Sequence, residues 1–83
     1  MNGNAHILVV DDDKRLRDLI GRYLGEQGFR VTVAINAEDA RAKLKSIAFD
    51  LLVLDIMMPG ENGLDLTRAL RLDSSVPILL LTA

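Results

Sequence analysis

The chain has no cysteine and a single histidine, and its apolar runs are only four or five residues long. Without cysteine there is no disulfide framework and no thiolate metal site, and nothing points to an oxidising compartment. Runs that short fall far below the roughly 18 residues needed to cross a bilayer, so no membrane span is expected. A basic excess is also missing. Ten Lys and Arg stand against twelve Asp and Glu, a net charge of −2, which argues against an electrostatic nucleic-acid binder. The opening residues Met1 to His6 lack the basic region and long apolar stretch of a secretion signal, and the expected location is the cytoplasm. What remains is a chain of 83 residues, 49% apolar and 27% charged. That is too hydrophobic for a disordered segment and too short for more than one domain.

Ile7-Leu8-Val9-Val10 is a continuous β-rich run closed by Asp11-Asp12-Asp13, and a strand apolar on both faces fits a parallel sheet covered by helices. Leu16, Leu19, Ile20, Tyr23 and Leu24 recur at i, i+3, i+4, i+7 and i+8, one face of an amphipathic helix that ends at Gly28. Phe29 to Ile35 alternates with Val31, Val33 and Ile35 at period two, a second strand less buried than the first. Asn36 reads as an N-cap, with Asp39 three residues on approximating a capping box. Ala37, Ala40, Leu44 and Ile47 mark the buried face of a second helix. Leu51-Leu52-Val53-Leu54 is a third apolar run ended by Asp55, and a turn-rich stretch, Met58 to Gly63, follows. Leu64 to Leu72 reads as a short helix, and Ile78-Leu79-Leu80-Leu81 as a fourth strand. The order is βαβαβαβ, which implies right-handed crossovers and an α/β fold with a parallel sheet between helices.

In such sheets ligands bind beyond the carboxyl ends of the strands. Asp11 and Asp12 follow the first strand and Asp55 ends the third, so adjacent strands would bring three carboxylates together. Like charges at close range raise carboxyl pKa values and destabilise the fold unless a cation sits among them. Hard oxygen donors suit Mg²⁺, which keeps several waters and readily takes a phosphate oxygen, whereas Ca²⁺ wants more protein oxygens. A blander reading is that an acid before a helix is only an N-cap. Asp13, nearest the helix start, reads that way. His6 stands before the first strand with no nucleophile beside it and reads as solvent-exposed. Met57 and Met58 read as packing near the sheet edge, since no cysteine or second histidine accompanies them as copper ligands. Gly63 reads either as a residue with an unusual backbone angle or as a point of close loop packing.

Taken together, Ile7 to Asp13, Leu52 to Gly60, Asn62-Gly63 and Leu80-Leu81-Thr82-Ala83 resemble the receiver domain of bacterial two-component response regulators, in the family's order and approximate spacing. Arg15-Leu16-Arg17, Tyr23 to Phe29 and Met58-Pro59-Gly60 are most similar to the OmpR-like subfamily, whose receivers precede a winged-helix DNA-binding domain. The resemblance implies a flavodoxin-like fold. It implies that Asp55 is the phosphoacceptor, taking a phosphoryl group from the phosphohistidine of a sensor histidine kinase. It further implies that Asp12 and Asp55 bind Mg²⁺ directly, Asp11 acts through a water, and the Met57 carbonyl supplies another ligand. Thr82 would hydrogen-bond the phosphoryl group and act as the switch. A phosphohydrolase with an aspartyl-phosphate intermediate is disfavoured, because such enzymes carry an acid two residues after the nucleophile, where this chain has Met57.

The family's sheet has five strands in order 2-1-3-4-5. This chain accounts for β1-α1-β2-α2-β3-α3-β4, so residues 1–83 read as an incomplete receiver domain lacking α4-β5-α5. The strand-five lysine and aromatic of the family, its usual dimerisation face and any DNA-binding output domain are not among these residues. The fourth strand is therefore expected to expose an edge that invites a homodimer or a strand-exchanged oligomer. DNA contact would come only through an output domain, and membrane contact is not expected.

Overall fold

The computed structural model describes residues 5–82. The reading of the first four residues as free of a secretion signal, and Ala83 of the fourth motif, lie outside these. The elements run β1 (His6–Val10), α1 (Lys14–Glu26), β2 (Arg30–Ala34), α2 (Ala37–Ser46), β3 (Leu51–Asp55), α3 (Gly63–Leu70) and β4 (Ile78–Leu81). All strand pairings are parallel and the sheet order is β2-β1-β3-β4. This is the α/β parallel sheet of the flavodoxin-like type. Two of the strands, β1 and β3, are central.

Alternation along these central strands builds two cores. Leu8, Val10, Leu52 and Leu54 join Ala34, Ala37, Ala40, Met58 and Leu66 under α2 and α3. Ile7, Val9 and Val53 point to the opposite face, where Ile20 and Leu24 of α1 pack with Val31, Leu51 and Leu81. Leu8, Leu52, Leu54 and Leu66 are fully buried, each worth about 2–3 kcal/mol in removed apolar surface. The first core is the larger, and register explains how β2 divides between the two. Thr32 and Ala34 lie opposite Leu8 and Val10, so Ala34 is fully buried in the larger core, while Val33 on the other face is 37% exposed.

Four sequence expectations need correction. The α1 stripe is only half used: Ile20 and Leu24 pack on the sheet, but Leu16, Leu19 and Tyr23 are 42%, 61% and 59% exposed. The five residues span about 140° of helix surface at 100° per residue, and α1 rests its Ile20–Leu24 flank over β1 and β2. The second helix stops at Ser46, and Ile47 is already extended, with φ −131° and ψ 134°. Its box is also displaced. Asn36 accepts the Asp39 N–H at 2.8 Å, whereas the Asp39 carboxylate accepts from Ile35 N–H at 3.0 Å, one residue earlier than a reciprocal box. The fourth correction is His6, which belongs to β1 and is half-buried. Its Nε2 lies 2.7 Å from Thr32 Oγ1, its N–H donates to Asp50 Oδ2 at 2.7 Å, and its ring centroid is 4.6 Å from that of Phe49.

Candidate functional site: an acidic cluster at the strand ends

Because β1 and β3 are adjacent and parallel, their carboxyl ends open at the same edge of the sheet. Asp11, Asp12 and Asp55 meet there, each offering a carboxylate oxygen within 4.8 Å of the others. Asp11 follows β1 directly, and its N–H donates to the Ala34 carbonyl at 3.2 Å, extending the β1–β2 ladder by one bond. The residue is only 1% exposed. Its Oδ1 accepts the Asp13 N–H at 2.9 Å, and Arg17 Nη1 donates to its main-chain carbonyl at 2.9 Å. Burial pushes the Asp11 carboxyl above its ordinary value, and the charges of Asp55 and Asp12 add to the rise, against the lowering effect of the Asp13 N–H.

The neighbouring acid Asp13 is committed elsewhere. It is the N-cap of α1, accepting from Arg15 N–H at 2.9 Å and more weakly from Leu16 N–H at 3.4 Å. Asp12 is exposed and borders two cavities. The first, about 450 Å³, is lined by Asp11, Asp12, Asp13, Asp55, Met57 and Thr82 together with Leu16, Ile20 and Leu81. The second, about 460 Å³, places Asp12 opposite the loop from Ile56 to Asn62. All five residues singled out in the sequence, Asp11, Asp12, Asp55, Met57 and Thr82, thus line one hollow at the strand ends.

The loop that leaves β3 is tightly tied. Asp55 Oδ1 accepts the Met57 N–H at 3.1 Å, and Gly63 N–H returns to the Ile56 carbonyl at 3.1 Å. A Cβ at Gly63 would overlap the Asp55 carbonyl oxygen, so of the two roles open to this glycine it is close packing that applies. The left-handed turn falls instead on Gly60, with φ +76°. Met58 is buried in the larger core. Met57, at 68% exposure, stands at the mouth of the hollow. The two methionines therefore do different work, and only Met58 packs.

Two features escaped the sequence reading. Arg17 braces the Asp11 carbonyl from one turn into α1, and Arg41 of α2 grips Glu61 of the β3–α3 loop through two hydrogen bonds of 3.0 and 2.6 Å. Neither pairing follows a periodicity, since each depends on which elements become neighbours.

Chemically, the cluster offers hard oxygen donors with no imidazole or thiolate among them, the donor set that fits a divalent cation of the magnesium type. The chain matches the family model "Response regulator receiver domain" over residues 7–83. Protein PetR of Rhodobacter capsulatus is 54% identical over 78 residues, covering 94% of this chain and 33% of PetR. The DNA-binding response regulator MtrA of Mycolicibacterium smegmatis is 44% identical, covering 93% of this chain and 34% of MtrA. The chain thus spans about a third of the length of these curated relatives. Among solved structures, the response regulator protein TrrA of Thermotoga maritima, crystallised in complex with Mg²⁺-BeF, superposes with a TM-score of 0.89 at 41% identity, covering 95% of this chain and 70% of that one. With the fold, the strand-end acids and the match over nearly its whole length in agreement, the chain belongs to the response regulator receiver domain family.

Proposed function

We propose that this chain is the phosphoacceptor part of a two-component signalling protein, with Asp55 as the residue modified. The observation that carries the reading is the convergence of Asp11, Asp12 and Asp55 from separate strand ends to within 4.8 Å. An Asp55 carboxylate oxygen attacks the phosphorus of a sensor kinase's phosphohistidine. The P–N bond breaks, its electron pair stays on the imidazole nitrogen, and an aspartyl phosphate forms. Asp12 and Asp55 would hold Mg²⁺ directly, Asp11 indirectly, and the Met57 main-chain carbonyl would add an oxygen. When bound, Mg²⁺ supplies charge neutralisation for the phosphoryl oxygens. Asp11, buried in the lining of the hollow, would add a third carboxylate beside these two, and the Met57 N–H orients Asp55 through its Oδ1. Thr82 lines the same hollow, and on this reading its hydroxyl donates to a phosphoryl oxygen and acts as the switch.

On this reading residues 1–83 form the first part of a receiver, and the partner that delivers phosphate is a sensor histidine kinase in the cytoplasm. The transmitted change controls a DNA-binding output elsewhere in the parent protein, as the name of MtrA suggests for a relative. Receivers are signalling domains, and on this reading the chemistry of the chain is at most self-phosphorylation and self-dephosphorylation at Asp55. No described helix is long and apolar enough to cross a membrane. A second reading, association of two copies through β4, is favoured by two observations: among the described residues β4 pairs only with β3, and Leu79 is 54% exposed. Sedimentation of the 83-residue chain over a concentration series reports it as a mass that rises with concentration.

Incubation with acetyl phosphate and Mg²⁺, followed by intact-mass measurement, tests the main reading. The expected result is one added phosphoryl group, abolished by EDTA and by Asp55→Asn. A mass gain that persists in Asp55→Asn would sink the assignment.

A further inference from the structure

The segment from Ile56 to Asn62 borders the acidic site: Met57 lines the acidic hollow itself, and Met57, Met58, Pro59, Gly60 and Asn62 face Asp12 across the second cavity. Its neck is closed by the Gly63–Ile56 hydrogen bond, and Met58 anchors it in the core. Its outer side faces Asn36, Ala37 and Glu38 at the start of α2 across a groove of about 320 Å³. Across that groove reaches Arg41. Its Nε donates to Glu61 Oε1 at 3.0 Å and its Nη2 to Oε2 at 2.6 Å, the two-pronged geometry in which a guanidinium holds a carboxylate in one orientation.

We propose that Arg41 and Glu61 are positioning residues, whose paired contact holds the 56–62 loop in the shape that receives a divalent cation at Asp12 and Asp55. The inference rests on the metal reading given above and extends it to two residues that touch no ligand. The pair is mutually consistent: Arg41 holds the Glu61 carboxyl below its ordinary value, and Glu61 raises the Arg41 guanidinium. At 43% and 30% side-chain exposure it contributes little to global stability. Loops open locally at low energetic cost, however, so even a weak contact shifts the population of a binding-competent loop. The scale of exposed pairs sets the expected change in cation affinity at about two- to fivefold.

Charge alone makes a different prediction, which separates the two explanations. If the residues acted only through long-range electrostatics, removing Arg41 would tighten Mg²⁺ binding and removing Glu61 would weaken it. Positioning requires both losses to weaken it.

The test is Mg²⁺ titration of the whole chain, followed by amide NMR shifts, for wild type, Arg41→Ala, Glu61→Gln, the double variant, and the exchange of Arg41→Glu with Glu61→Arg. Metal-free thermal unfolding is measured alongside. Expected are two- to fivefold weaker binding in each single variant, no further loss in the double variant, recovery in the exchange, and a Tm close to wild type throughout. Opposite signs in the two single variants, additive losses, or unchanged affinity in variants that fold would overturn the inference and leave the metal reading standing. Failure of the wild type to bind Mg²⁺ at millimolar concentration would overturn both. Should Arg41→Ala unfold, Arg41→Gln decides the sign: it removes the charge and keeps a long side chain, so weaker binding supports positioning and tighter binding overturns it.

Discussion

Asp11 sits where folding and function pull in opposite directions. Its main chain is fixed by the ladder bond to Ala34 and by Arg17, so the side chain is buried beside two other acids. With its carboxyl raised above the ordinary value of 3.8, the ionised form destabilises the metal-free fold at neutral pH. That cost is relieved as pH falls through the raised value. Asp39 and Glu61 have the opposite sign. Asp39 is held low mainly by the Ile35 N–H, and Glu61 mainly by Arg41, so their stabilisation is complete above their ordinary values and is lost as pH falls through the lowered ones. Metal-free stability, measured by urea unfolding across pH, should therefore rise on moderate acidification and then fall. Asp11→Asn keeps an oxygen for the Asp13 N–H. It should raise neutral-pH stability by about 1 kcal/mol, the scale of an ordinary point substitution, remove the initial rise, and weaken Mg²⁺ binding. A loss of stability in Asp11→Asn would contradict this balance of terms.

At the scale of elements, the glycines divide by what surrounds them. Gly21 and Gly25 lie within α1. A Cβ at Gly21 would meet Val31 at an ordinary 3.7 Å, and one at Gly25 would meet nothing within 4 Å. Replacing either by Ala should stabilise the fold by about 1 kcal/mol through helix propensity. Gly63→Ala should cost about 1–3 kcal/mol, because the new methyl and the Asp55 carbonyl must separate. It should also disturb the site, since the displaced carbonyl belongs to Asp55. Urea midpoints for the three variants check the signs. The elements themselves were legible in the sequence because apolar runs closed by acids and capped helix starts are local signals. Asn36, Asp13 and Asn62 cap the three helices through their own side chains. The burial of α1 was less legible. Periodicity shows that Leu16, Leu19 and Tyr23 share a stripe with Ile20 and Leu24, but which flank rests on the sheet is decided by where the crossover sets the helix.

For the whole molecule, sheet order makes the site. Asp11, Asp12 and Asp55 were readable as a cluster because a parallel sheet with short crossovers sends strand ends to one edge, and the order β2-β1-β3-β4 places the relevant pair side by side. Side-chain pairings away from the strand ends were not readable. The His6, Thr32, Asp50 and Phe49 group joins three segments at the opposite end of the sheet, and the Arg41–Glu61 contact joins a helix to a loop. Such contacts follow from topology and leave no local periodicity.

On the reading proposed above, the strand-end cluster works as a single cation-dependent phosphoacceptor with Asp55 as its nucleophile. Borohydride reduction after acetyl phosphate treatment converts an acyl phosphate to an alcohol, so peptide mapping identifies the modified side chain directly. Homoserine is expected in place of Asp55 alone, formed with Mg²⁺ and absent with EDTA. Homoserine at Asp11 or Asp12, or equal labelling of Asp55 without the metal, would contradict it.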